Sequence, residues 1–187
     1  EATIRTFRTS GSTTDARGAL HLDSLALYDA SLLATFRAFI CPDVERIRFM
    51  VLAPSAVEAP DSSLSYMFER ALRVLGTPDS RFCIHAGGWD ATALAAELAQ
   101  LREPVLLAGT AFAFVHLLDW LEARAMTLQL PAGTRVMETG GFKGRSRELT
   151  RDELHGAITK RLGVPRARIV NQYGMCELGS QFYEASL

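Results

Sequence analysis

Short runs with strand character alternate with longer stretches of helical periodicity through almost all of the 187 residues, and this alternation restricts the fold more than any other feature. Ala2 to Arg8, Arg46 to Leu52, Arg81 to His85, Pro104 to Ala108, Thr134 to Glu138 and Arg168 to Gln172 are short and flanked by turn formers. Between them, Leu22 to Phe39, Ser62 to Leu75, Ala91 to Leu101, Ala111 to Ala125 and Arg151 to Leu162 repeat apolar residues at helical spacing, as Leu22, Leu25, Leu32, Leu33, Phe36 and Phe39 do. Helix ends are marked as well. Asp90 is placed to cap an N-terminus, Thr150 with Glu153 spells a capping box, and Gly76 and Gly163 stand where a helix closes on a left-handed residue. Strands joined by helices predict one α/β unit over residues 1–187: a mostly parallel sheet with helices on both faces. No repeat, low-complexity tract or Pro/Ser-rich linker divides it. Sheets of this kind bind ligands beyond the carboxyl ends of their strands. That directs attention to the Gly-bearing loops after Arg8, His85 and Glu138, and to the turn at Tyr173.

Composition narrows the class. A chain of this length with 48% hydrophobic residues can bury a substantial core. Its formal net charge is −1 with Lys and Arg scattered, so neither nucleic acid nor an anionic membrane is expected as a partner. There is no secretory signal, and the longest apolar run, Pro104 to Leu118, is broken by Gly109 and His116, so no transmembrane segment is expected. Cys41, Cys83 and Cys176 are far apart, odd in number and form no CxxC pair, which argues against a disulfide framework or a zinc site and fits a reducing, cytoplasmic setting. The chain starts at Glu1 inside a strand candidate, without Met, and is expected to be a piece of a longer protein.

Three segments carry chemistry. Thr9-Ser10-Gly11-Ser12-Thr13-Thr14 packs five hydroxyls and a glycine into six residues after an extended run, so that hydroxyls and backbone N–H groups can converge on an anion. It is followed by Asp15-Ala16-Arg17-Gly18 and lacks the spacing and lysine of a Walker A loop. Gly140 and Gly141, after the apolar strand that ends at Glu138, allow a flat ligand to approach the backbone. Gln172-Tyr173-Gly174-Met175-Cys176-Glu177 offers an aromatic face for a base and a carboxylate for a hard cation. Each has a plain alternative taken alone: a hydroxyl-rich surface loop, a tight strand-to-helix turn, an ordinary Tyr-Gly turn.

In this order, the three segments resemble the motifs of the adenylate-forming superfamily, the acyl-CoA synthetases and their relatives. Thr9, Ser10, Gly11, Ser12, Thr13 and Gly18 match its phosphate loop T-S-G-[ST]-T-G-x-P-K-G, with Thr14 for a glycine, Ala16 for a proline and Arg17 for the lysine. Tyr173, Gly174 and Glu177 match Y-G-x-T-E, with Cys176 for the threonine. Within the superfamily, Glu138 through Tyr183 is similar in wording to the acyl-protein synthetases of bacterial luminescence and to phenylacetate-CoA-ligase-like enzymes. Residues 20 to 130 carry no motif that matches.

The resemblance implies the central part of an adenylate-forming N-terminal domain, using ATP and Mg²⁺ to turn a small-molecule carboxylic acid into an acyl-adenylate for transfer to a thiol on a protein, a carrier or CoA. It implies roles by position: Thr9, Ser10, Gly11, Ser12, Thr13 and Arg17 at the pyrophosphate, Gly140, Gly141 and Tyr173 at adenine, Glu177 at the metal, with Arg17 and Glu177 serving catalysis. The superfamily's lysine-bearing C-terminal domain is expected to lie outside these residues. His85, Gly87 and Trp89 form a further candidate, one wall of the acyl pocket, although a structural histidine with a packed tryptophan would read the same. His116, on an apolar helix with Phe112 and Leu117, reads as core or partly buried. A non-catalytic nucleotide- or acyl-binding module that kept this fold is the other reading. The departures at Thr14, Ala16 and Cys176 favour it.

Overall fold

Among the described residues five helices and eight strands form; the five helices and six of the strands are those the periodicity predicts, with boundaries moved by a few residues, and β2 and β8 are additional. The computed structural model describes residues 3–9, 18–85, 88–140, 149–175 and 179–184. In chain order the elements are β1 (Arg5–Arg8), β2 (Ala19–Leu22), α1 (Ala26–Ile40), β3 (Arg48–Leu52), α2 (Ser63–Leu75), β4 (Arg81–Phe82), α3 (Ala91–Gln100), β5 (Val105–Thr110), α4 (Ala111–Glu122), β6 (Arg135–Thr139), α5 (Arg151–Leu162), β7 (Ile169–Met175) and β8 (Ser180–Tyr183). Six strands make one sheet in the order β4-β3-β5-β6-β7-β8, parallel throughout except for the antiparallel pair β7–β8. The fold is thus mixed α/β, with a mostly parallel sheet flanked by helices. The order reverses about β3, which has β4 on one side and β5 on the other.

Both faces of the sheet are covered, which is why its strands are continuously apolar instead of alternating. Met50, Leu52, Leu107, Val136 and Ile169 point to one face and pack under α3, α4 and α5 through Leu98, Phe114, Leu117, Ile158 and Leu162. Phe49, Val51, Leu106, Met137 and Val170 point to the other and meet Leu32 and Phe36 of α1 and Met67, Phe68 and Ala71 of α2. Each such side chain, fully buried, contributes roughly 1.5–3 kcal/mol of transfer free energy. Helix starts are capped as the residue types require: Ser62, Asp90 and Thr110 each accept a hydrogen bond from the backbone N–H three residues on. The capping box of Thr150 and Glu153 and the left-handed Gly163, at φ +71°, are both present on α5.

Five local expectations differ from what forms. The strand leading into the first loop does not belong to the parallel sheet. β1 pairs only with β2, as an antiparallel hairpin lying on the α1/α2 layer, and Phe7 is buried between Tyr28 and Tyr66. Accordingly α1 begins at Ala26 and not at Leu22, because Leu20 and Leu22, two residues apart, are used as strand residues facing that layer. Gly76 closes α2 in extended backbone (φ −79°, ψ 151°), and a Cβ there would strike the Leu72 carbonyl oxygen. Close approach, not left-handed geometry, is what requires glycine. His116 is exposed on the outer face of α4, edge-on to Phe112. Finally, β8 was not foreseen: it folds back from β7 and closes the sheet on that side.

Candidate functional site

The carboxyl ends of β3, β5, β6 and β7 lie along one edge, since the strands are parallel and in register. The base of the first loop, Thr9 and Gly18, adjoins the helical layer. The Arg8 N–H donates to the Asp61 carbonyl oxygen at 2.9 Å, just ahead of α2, and α2 starts where the chain leaves the carboxyl end of β3. The loop is pinched at its base: the Thr9 N–H donates to the Gly18 carbonyl and the Gly18 N–H to Thr9 Oγ1, both at 2.9 Å. A Cβ built on Gly179, in the turn between β7 and β8, would lie 3.9 Å from Leu20 Cδ2. The stem of the hydroxyl-rich loop and the turn that follows Tyr173 are therefore neighbours.

The sequence candidates distribute as follows. Thr9 forms the loop base, while Ser10, Gly11, Ser12, Thr13 and Arg17 lie outside the described residues. Gly140 sits at the end of β6 with φ +84°, a conformation that L side chains rarely adopt, and among the described residues nothing fills the space a Cβ would take; Gly141 is outside the described residues. Tyr173 is 55% exposed, unusual for a ring on an otherwise covered strand, and the next residue must stay small, because a Cβ on Gly174 would come 2.7 Å from Gln172 Nε2. Cys176 and Glu177 are outside the described residues. His85 is exposed, with Nδ1 3.5 Å from Glu58 Oε1, in a tight turn bridged to Gly88. Gly87 is not described, and Trp89 is half-buried against the α3/α4 core, so its ring serves packing. His85 thus stands at the same edge as Gly140 and Tyr173, beyond β4 at its far side.

Sequence reasoning missed the polar groups buried beneath this edge. Glu138 on β6 accepts a hydrogen bond from Asn171 Nδ2 at 2.7 Å and one from His155 Nε2 at 2.9 Å, on the α5 face of the sheet. Glu138 and His155 have essentially no exposure. One residue on and on the opposite face, Thr139 Oγ1 donates to Gln172 Oε1, also buried. The signal was present as a carboxylate closing the apolar run Val136-Met137 and as His155 among Leu154, Ile158 and Leu162 on the inner stripe of α5. Of the thiols, Cys41 and Cys83 are pushed up to about 11 by burial, so neither presents a nucleophilic thiolate near neutral pH.

No family model and no curated protein matches the chain. Among solved structures it is similar to the coronafacic acid ligase of Pectobacterium brasiliense, with a TM-score of 0.55 and 18% identity over 83% of this chain. The chain spans 27% of that ligase's length, about a quarter. At this identity the likeness is one of fold: these residues share the architecture of part of a ligase.

Proposed function

We propose that the chain is the nucleotide-binding part of an adenylate-forming enzyme, which uses ATP to convert a carboxylic acid to an acyl-adenylate for transfer to a thiol. The observation that supports the reading is the nearness of Leu20, two residues past the base of the hydroxyl-rich loop, to Gly179, in the turn after β7, at the carboxyl edge of the sheet, with Gly140 on the adjoining strand. The ligase fold of the solved relative is consistent with this arrangement.

In this reading a carboxylate oxygen of the acid attacks the α-phosphorus of ATP. A new oxygen–phosphorus bond forms, the bond to the β-phosphate bridge breaks, and pyrophosphate leaves with the electron pair. A thiol then displaces AMP from the acyl carbon. The protein's task is alignment and charge neutralisation more than covalent chemistry. Thr9, Ser10, Gly11, Ser12 and Thr13 line the pyrophosphate, and Arg17 forks onto its oxygens. Gly140 and Gly141 let adenine approach the backbone while Tyr173 stacks on it. Glu177, a hard carboxylate that suits the ion, would hold Mg²⁺, and such an ion would supply neutralisation of charge on the leaving pyrophosphate. His85 borders the acyl pocket. The wording from Glu138 to Tyr183 favours a fatty or other acyl acid, with a protein cysteine, a carrier or CoA as the thiol acceptor, and the cysteine usage suits a cytoplasmic enzyme; Cys41 and Cys83 are too deeply buried to be that acceptor.

Carboxylate-dependent exchange of labelled pyrophosphate into ATP, run on the intact protein across a panel of fatty, aryl and amino-acid-derived acids, is the test. Exchange that appears only with one class of acid establishes the activity and its substrate. ATP binding without exchange for any acid would favour the non-catalytic module, and absence of both would remove the nucleotide reading.

A further inference from the structure

A carboxylate buried with two hydrogen-bond donors is a costly way to fill a layer between a sheet and a helix. Apolar residues of similar volume commonly stabilise such a site as well or better, and buried polar groups are best attested as devices that fix register. Here the three partners come from three elements, β6, β7 and α5. Glu138 and Asn171 are direct cross-strand partners, and the next pair, Thr139 with Gln172, is bonded on the opposite face. Two consecutive polar pairs, one on each face, therefore clamp β6 to β7 at the last step before Gly140. A slip of β7 by one residue against β6 would send Asn171 and Gln172 to the wrong faces and break both pairs. Asn171 and Tyr173 lie two apart on β7 and so project on the same face, and the Gln172 amide occupies the space that Gly174 leaves open. His155 is wholly buried, and its Nδ1 has no partner among the described residues, so its bond to Glu138 is the polar contact that ties α5 to this corner.

We propose that Glu138, His155 and Asn171 are positioning residues for the base-binding aromatic: by locking β6, β7 and α5 together, they hold Tyr173 and Gly140 in the relation that recognises adenine. This rests on the nucleotide reading above. Tyr173 is more than half exposed, so the direction of its ring depends on the backbone that carries it, and that backbone is held from below.

The test compares Asn171→Leu and His155→Leu with His155→Gln, whose amide nitrogen can replace Nε2 as the donor to Glu138, all in the intact protein. Two measurements are made: backbone amide exchange over residues 172–174 without nucleotide, and KM and kcat for ATP and GTP in pyrophosphate exchange. The expectation for both leucine variants is faster exchange at 172–174, an ATP KM raised about tenfold with kcat within about twofold, and a reduced preference for ATP over GTP. His155→Gln restores the wild-type values. Packing loss alone would not weaken discrimination between bases and would not be rescued by glutamine. Wild-type amide exchange and base preference in both leucine variants overturn the proposal, and a leucine variant that fails to melt cooperatively leaves the other to decide. Should wild type bind no ATP, the nucleotide reading fails on its own, while amide exchange at 172–174 still judges whether the cluster holds this strand end.

Discussion

Tyr173 is the residue at which fold and proposed chemistry meet. It sits on a strand whose inner neighbours are covered, yet its ring is open to solvent, and the glycine after it cannot be enlarged without displacing the Gln172 amide. If the ring stacks on adenine, Tyr173→Ala should weaken ATP binding by about 1–3 kcal/mol and Tyr173→Phe by little, as base stacking on aromatic side chains behaves elsewhere. Calorimetric titration of ATP into the three proteins decides it. A loss as large for Phe as for Ala would assign the effect to the hydroxyl and end the stacking assignment. The side chain could be singled out from the sequence because a Tyr-Gly pair in a known spacing is a local signal. Its support could not. Glu138 and Asn171 are 33 positions apart and become partners only through strand register, which a single sequence does not display.

At the scale of elements, what could be read depended on how local the cause was. Helix caps are local, so Asp90, Thr150, Glu153 and Gly163 act as their types and positions predict. The first helix was drawn too long because Leu22, three residues before Leu25, fits a helical stripe as well as a strand, and only pairing with Arg5–Arg8 settles which is used. β8 went unread because it is four residues long and owes its conformation to β7. Two glycines of the helices make the local argument measurable. Gly156 lies inside α5 with nothing within 4 Å of where a Cβ would be, so Gly156→Ala should raise stability by about 0.5–1 kcal/mol through a smaller backbone entropy loss. Gly76→Ala should lower it by roughly 1–3 kcal/mol, since the new methyl meets backbone that cannot rotate away. Urea midpoints at unchanged m-value check both, and a stabilised Gly76→Ala would show that the end of α2 is free to move.

The whole molecule has two unlike edges. At the amino edge Arg135, almost fully buried, donates to the Ile40 carbonyl at 3.0 Å and to Asp43 Oδ1 at 2.6 Å, and Arg168 reaches the other Asp43 oxygen, so one carboxylate joins α1 to β6 and to the entry of β7. The hydrogen bond from Arg135 holds the Asp43 carboxyl below its ordinary value. A group depressed in the folded state contributes stability that is fully present above its unfolded value and is lost as pH falls through its folded one. Asp43→Asn should therefore be less stable than wild type by a constant margin from pH 7 to about pH 5, with the margin closing below about pH 4; because Asp43 is half exposed, that margin is modest. Urea melts across that range measure it, and a margin that did not close on acidification would deny Asp43 its part in holding this edge. The opposite edge is divided between two bodies of the fold. The hairpin that carries the first loop rides on the α1/α2 layer, whereas Gly140 and Tyr173 belong to the sheet beneath, and the two come near each other at Leu20 and Gly179. A nucleotide gripped by its phosphates on one body and by its base on the other would act as a cross-brace. Any slip of the helical layer over the sheet would stretch or compress it, so that on the proposed reading loading such a ligand would stiffen the sliding mode of the molecule, and loss of pyrophosphate and then AMP would return that freedom one end at a time.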